Sequence, residues 1–112
     1  MVTTLTETAS AENWQVINGT SLHGYITATR TEIEAVFGAP TIANNDPRDK
    51  VTTEWYLIFE DVTVATVYDW KRYEMGAPRM DERMDWNIGG HDDRARVLVG
   101  SALGKLTRGI WA

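Results

Sequence analysis

The chain has 112 residues, 16 acidic and 11 basic side chains, a net charge of −5 and no cysteine. That length suits one domain with a real core and is too short for two, and the lack of cysteine removes disulfide frameworks and thiolate metal sites such as zinc ribbons. The acidic balance opposes binding to the phosphate backbone of duplex nucleic acid, while the charges are too sparse and interspersed to imitate that backbone.

Residues 1–12, MVTTLTETASAE, carry almost no large apolar anchor and read as a disordered tail, because their burial cannot offset the entropy of ordering them. The N-terminus lacks the basic-then-apolar layout of a secretory signal, and no apolar run reaches the ~20 residues of a membrane helix. A cytoplasmic protein with no membrane partner is therefore expected. NWQVIN alternates and precedes the turn-forming pair Asn18-Gly19, which predicts a short strand over 13–18, with SLHGYI extended beyond it. In TRTEIEAVFGAP, Thr29 and Glu32 form a capping box, Ile33, Val36 and Phe37 an apolar stripe, and Gly38 and Pro40 a stop, so a helix is predicted over 30–37.

From Val51 the period changes to two. Thr53, Trp55, Leu57 and Phe59 share one face and Glu54, Tyr56 and Ile58 the other. After Glu60-Asp61, Ala65 and Val67 oppose Val64, Thr66, Tyr68 and Trp70. The two runs predict an antiparallel hairpin that is apolar on both faces, one face for the helices and the other for a second subunit. KRYEMGAPRMDERM holds no period and reads as a long functional loop, DWNI as a short strand. DDRARVLVGSALGKL sets Ala95, Leu98, Val99, Ala102, Leu103 and Leu106 at helical spacing, with Asp92 and Asp93 at its start. The expected fold is α+β, a small antiparallel sheet with two helices packed on one face, over residues 13–106, followed by a C-terminal tail at 107–112.

Catalytic material is scarce. The chain has two histidines, no serine in a nucleophile-elbow setting and no Walker loop, so no enzyme, metal or cofactor is expected. A metal-dependent phosphodiesterase built on His91 and Asp93 is one alternative. Binding is better supplied. Gly89 and Gly90 stand before the last helix, where free backbone N–H groups can receive an anion, although a tight turn capped by Asp92 explains them as well. Lys71, Arg72, Arg79 and Arg83 offer cations, or are solvated loop charges. Trp70, Tyr73 and Trp86 offer stacking faces and Asn87 a base-reading amide, or the tryptophans pack across neighbouring strands. Tyr25 and Arg30 supply a further wall, or a strand edge and a cap.

The motifs SLHGYI, FGAPT, DKVTTEWYLIFED, TVATVYDWK and WNIGG, spanning roughly residues 20–104, resemble a widespread group of small bacteriophage-encoded proteins. The pattern is similar to the phage Thoeris anti-defence family. That resemblance implies a sponge acting in the cytoplasm of the infected bacterial host, one that binds and sequesters a nucleotide second messenger, a cyclic ADP-ribose isomer or cyclic oligonucleotide, as a homo-oligomer. It makes Trp70-Lys71 and Trp86-Asn87 the matching pocket positions. Val62 departs from the group, which has a glycine in that turn. The candidate ligand-binding set is thus Tyr25, Arg30, Trp70, Lys71, Arg72, Arg83, Trp86, Asn87, Gly89 and Gly90. A phage inhibitor that binds a host defence protein, such as a CRISPR effector, is the other alternative.

Overall fold

Strict alternation in the middle of the chain builds one antiparallel sheet. The computed structural model describes residues 2–4, 17–43 and 48–110. Six strands, β1 (Val2–Thr4), β2 (Ser21–Thr29), β3 (Glu54–Phe59), β4 (Val64–Tyr68), β5 (Arg83–Gly90) and β6 (Arg108–Gly109), lie in the order β1-β3-β4-β5-β2-β6. Helices α1 (Arg30–Phe37) and α2 (Arg94–Leu103) share one core with a single face of that sheet. The architecture is the α+β class expected from the sequence. No helix among the described residues is long and apolar enough to cross a membrane.

The core takes alternate residues from four strands: Ile26 and Ala28, Trp55 and Leu57, Ala65 and Val67, Trp86 and Ile88. Ile33 and Phe37 of α1 and Ala95 and Val99 of α2 close it from above. Trp55 and Trp86 meet edge to face, with ring centroids 5.4 Å apart. Each indole N–H finds a carbonyl, Trp55 Nε1 donating to Gly38 O at 2.9 Å and Trp86 Nε1 to Ala28 O at 3.1 Å. Both rings are therefore buried without an orphaned donor.

Helix α1 has its predicted bounds. Thr29 Oγ1 accepts from Glu32 N, and Glu32 Oε1 accepts from Thr29 N in return. Helix α2 is shorter than its apolar stripe, because Gly104 adopts a left-handed conformation and its N–H turns back to Gly100 O and Ser101 O. Leu106 falls beyond that stop and is 96% exposed, so it belongs to no helical face.

The predicted N-terminal tail needs correction where it is described. Val2–Thr4 pairs antiparallel with Phe59–Leu57 as an edge strand, since backbone hydrogen bonds and the packing of Val2 on the core supply what composition lacks. Residues 5–12 lie outside the described residues. In the C-terminal tail Arg108 and Gly109 pair with Tyr25 and Gly24, so the tail docks on the sheet edge there. The predicted strand 13–18 lies outside the described residues except at Ile17-Asn18, where the chain is helical and then turns, Thr20 N donating to Ile17 O. DWNI is part of a longer strand at the sheet centre, between β4 and β2. The aperiodic 71–82 segment is organised around Arg72, which is 9% exposed. Its guanidinium bonds Gly76 O and both carboxylate oxygens of Glu82.

The β3–β4 hairpin turns through Glu60, Asp61 and Val62, with Val62 N donating to Phe59 O and Phe59 N to Thr63 O. This loop needs a left-handed third residue, and Val62 supplies it at φ 61° with its side chain 80% exposed. A β-branched residue there is strained and gains little from burial. Val62→Gly is accordingly expected to raise unfolding stability by about 1 kcal/mol in urea titration, whereas a loss would contradict this reading of the turn.

Candidate functional site

The glycine pair does not sit where a helix could use it. Gly89 and Gly90 end β5, paired with Leu22 and Ser21 on one side and Thr66 and Ala65 on the other. Helix α2 begins only at Arg94, and Asp92 Oδ1 already accepts the Arg94 N–H at 3.0 Å. The expected anion cradle is therefore replaced by a packing requirement. A Cβ at position 90 would stand 2.4 Å from Ala95 Cβ, and one at 89 would stand 2.6 Å from Thr66 Oγ1.

Nor does the irregular segment gather the expected aromatic and cationic groups. Trp86 and Asn87 are successive residues of one strand and must face opposite ways. Trp86 is fully buried in the core, which corrects its expected role as a stacking platform, while Trp70 is 46% exposed on the face away from the helices. Arg72 is the buried partner of Glu82. Arg30 bonds Glu34 at 2.6 Å and Arg83 reaches Glu32 at 3.2 Å, both around α1. Six of the ten expected residues, Arg30, Arg72, Arg83, Trp86, Gly89 and Gly90, thus hold the fold together and do not line a shared cavity.

The other four come together on the far face of the sheet. Register places Glu54 opposite Tyr68, Tyr68 opposite Asn87, Asn87 opposite Tyr25, and Tyr25 opposite Arg108, one row across five strands. Leu22, Tyr25, Tyr68, Trp70 and Asn87 line a depression of about 310 Å³ on this row. Tyr68 and Trp70 meet edge to face, with centroids 6.2 Å apart. A cation caps each rim: Lys71 Nζ lies 5.6 Å from the Trp70 ring centroid, and Arg108 Cζ lies 5.6 Å from that of Tyr25. Arg108 also bonds Asp85 at 2.8 Å, using one of its five N–H donors.

The posture of Trp70 and Lys71 comes from the residue before them. Asp69 is fully buried, and its carboxylate accepts from Thr52 N at 2.8 Å, Thr53 N at 3.0 Å and the Thr52 hydroxyl. Lys71 N then donates to Lys50 O at 2.7 Å, and Lys71 takes a left-handed φ of 52°. This bend brings the lysine back over the neighbouring indole, where straight strand geometry would send the two apart.

Leu22, Tyr68 and Arg108 were not among the expected site residues. The two-residue period already put Tyr68 beside Trp70. Arg108 and Leu22 depend on the β2–β6 pairing and on a bulge between Leu22 and Gly24, neither of which leaves a periodic signal.

A larger concavity, about 550 Å³, lies at the β2 bulge and includes His23, Asp93 and Arg96. Its charges are already committed, Arg96 giving two bonds to Asp93 and one to Thr107. Among the described residues no cluster of three His, Asp or Glu side chains is placed to hold a metal, so the His91–Asp93 pair gains no third ligand. Comparison with protein-family models, with curated proteins and with solved structures returns no significant match.

The row also holds an unusual carboxyl. Burial pushes Glu54 from its ordinary 4.5 up to about 7; a hydrogen bond with Tyr56 opposes the rise and the nearby Asp69 carboxylate adds to it. Burial, reinforced by Glu54, pushes Tyr56 up to about 12. Between pH 4.5 and 7 the folded chain keeps a proton on Glu54 that the unfolded chain has lost, so stability is full below 4.5 and falls as pH rises toward 7. Glu32 and Asp61 act oppositely: bonded by Lys105 and by Thr63 respectively, both are lowered to about 2 and lose their contributions as pH falls toward that value. Urea unfolding should lose about 2 kcal/mol between pH 4.5 and 7.5, and Glu54→Gln should flatten that decline. An equal decline in the variant contradicts the assignment.

Proposed function

We propose that this chain is a non-catalytic binder that sequesters a nucleotide second messenger on the far face of its sheet, as a phage anti-defence protein in the cytoplasm of the infected host. The observation that carries this reading is the meeting of Trp70, Tyr68 and Tyr25 with the Asn87 amide in one depression, with Lys71 and Arg108 on its rims. Aromatic faces stack a base at ~1–3 kcal/mol each, the amide can read a base edge or ribose, and the rim cations can receive phosphates. Tyr68 and Arg108 stand three strand spacings apart, roughly 14 Å, a span suited to a ligand with more than one charged group around a flat centre. The resemblance of the motifs TVATVYDWK and WNIGG, which supply Tyr68, Trp70, Lys71 and Asn87, to the Thoeris anti-defence family points to the same chemistry.

A depression open on one side covers only part of a nucleotide, whereas ligand sites commonly bury ~70–90% of theirs. A second copy of the chain closing over Trp70 and Tyr25 supplies the remainder, which accounts for aromatic groups left on a sheet face that no described helix covers.

Incubation with ADP-ribose isomers and cyclic dinucleotides tests the reading. A ligand at 100 times its Kd stabilises by ~2.7 kcal/mol, a rise in melting temperature of about 10 °C for a domain this size. Heat denaturation should then release the nucleotide intact; recovery of a cleaved product overturns the reading in favour of a hydrolase. Trp70→Ala should weaken binding about 10- to 100-fold with little change in the melting temperature of the free protein. Lys71→Gly should raise that temperature by relieving the left-handed backbone, yet still bind less tightly. A purely structural lysine would not show that opposition.

A further inference from the structure

Glu54 lies on the same row as the depression, one strand beyond Tyr68. Its backbone is held on the outer side by a two-bond bridge to Ile42, and its side chain is hydrogen-bonded to Tyr56. The titratable groups facing it among the described residues are Tyr56 on its own strand, Tyr68 on β4 and Asp69 just beyond β4. Tyr25 on β2 lies further along the row and is felt by Tyr68, whose hydroxyl is hydrogen-bonded to Asn87. No cation pairs with Glu54 among the described residues.

We infer that Glu54 is the residue that makes occupation of the far-face depression depend on pH, admitting an anionic nucleotide when its carboxyl is neutral and opposing one when it is ionised. The inference rests on the nucleotide-binding reading and adds to it a specificity-determining residue outside the depression. Geometry supplies the coupling, because Glu54, Tyr68, Asn87 and Tyr25 are successive cross-strand neighbours, and Tyr68, directly opposite Glu54, lines the depression. Burial supplies the timing, since it carries the carboxyl from 4.5 to about 7, so that its charge changes near neutrality. A unit charge roughly 10 Å from a phosphate, at an effective dielectric constant between those of a protein surface and water, changes affinity about tenfold. By linkage, a bound anion must raise the protonation midpoint of Glu54 by the corresponding amount.

ADP-ribose is the probe for this test, because its diphosphate diester does not titrate between pH 6 and 8. The wild-type Kd should weaken about fivefold across that interval, approaching tenfold only above the midpoint of the loaded protein, while Glu54→Gln should keep the pH 6 affinity throughout. A variant with the wild-type pH profile, or a wild-type affinity that does not change, overturns the inference and leaves nucleotide binding standing. Absence of ADP-ribose binding at every pH overturns the nucleotide reading for this probe and takes the inference with it. A second measurement does not depend on the variant folding: the side-chain carboxyl carbon of Glu54, followed by NMR in free and ADP-ribose-loaded wild type, should show its midpoint rise by about one pH unit on loading. An unmoved midpoint also overturns the inference.

Discussion

One buried carboxylate fixes the geometry on which the site depends. Asp69 leaves β4 pointing inward, where it is satisfied by two backbone N–H groups and a hydroxyl from Thr52 and Thr53 and has no counter-ion within bonding distance among the described residues. A buried charge survives only with such donors, and donors so arranged have few other acceptors, so each side enforces the other. Three consequences follow along the chain. The segment entering β3 is pinned to the end of β4, Trp70 is turned outward above Tyr68, and Lys71 is bent back over the indole in a conformation it would not choose. Asp69 also adds a like charge beside Glu54 and so favours the neutral form of the one acid on the far-face row.

Antiparallel alternation does the rest. With α1 and α2 on one side, alternate residues of four strands are committed to the core, and the intervening residues appear together on the other side. On the core side this gives the crossed indoles of Trp55 and Trp86, closed by Ala95, whose methyl needs glycine at position 90. On the far side it gives a polar and aromatic row running from Glu54 to Arg108. The packing that stabilises the fold and the surface that carries the candidate site are therefore the same strands read in opposite phase, and a residue that serves one is withheld from the other.

That phase was legible in the sequence only within single strands. The alternation of 51–70 correctly separated Trp55 and Leu57 from Tyr56 and Tyr68, and the capping box gave helix α1 its bounds, because both signals are local. Trp86 and Asn87 share a predicted strand, yet both stand in the candidate set; adjacent strand residues face opposite sides, so only Asn87 reaches the depression while Trp86 enters the core. The glycine pair misled for a related reason. Glycine before a helix and glycine in a crowded central strand look alike until the neighbouring strand and Ala95 are in place. Arg72 shows the limit for charges: an arginine in an aperiodic segment reads as available, and only the fold reveals Glu82 and Gly76 O around it. Tyr25 reaches the site through long-range pairing that leaves no local signal, whereas Lys71 is the sequence neighbour of Trp70 and is brought over the indole by its left-handed backbone.

The central claim is that ligand chemistry belongs to the far face and not to the irregular segment or the start of α2. Amide and indole chemical-shift mapping during titration with ADP-ribose tests it most directly. The account predicts changes concentrated at Leu22, Tyr25, Tyr68, the Trp70 indole and Asn87, with the Trp86 indole unmoved in the core. Changes centred on residues 72–82 or on Asp92–Arg94, with Trp70 and Tyr25 silent, would contradict it.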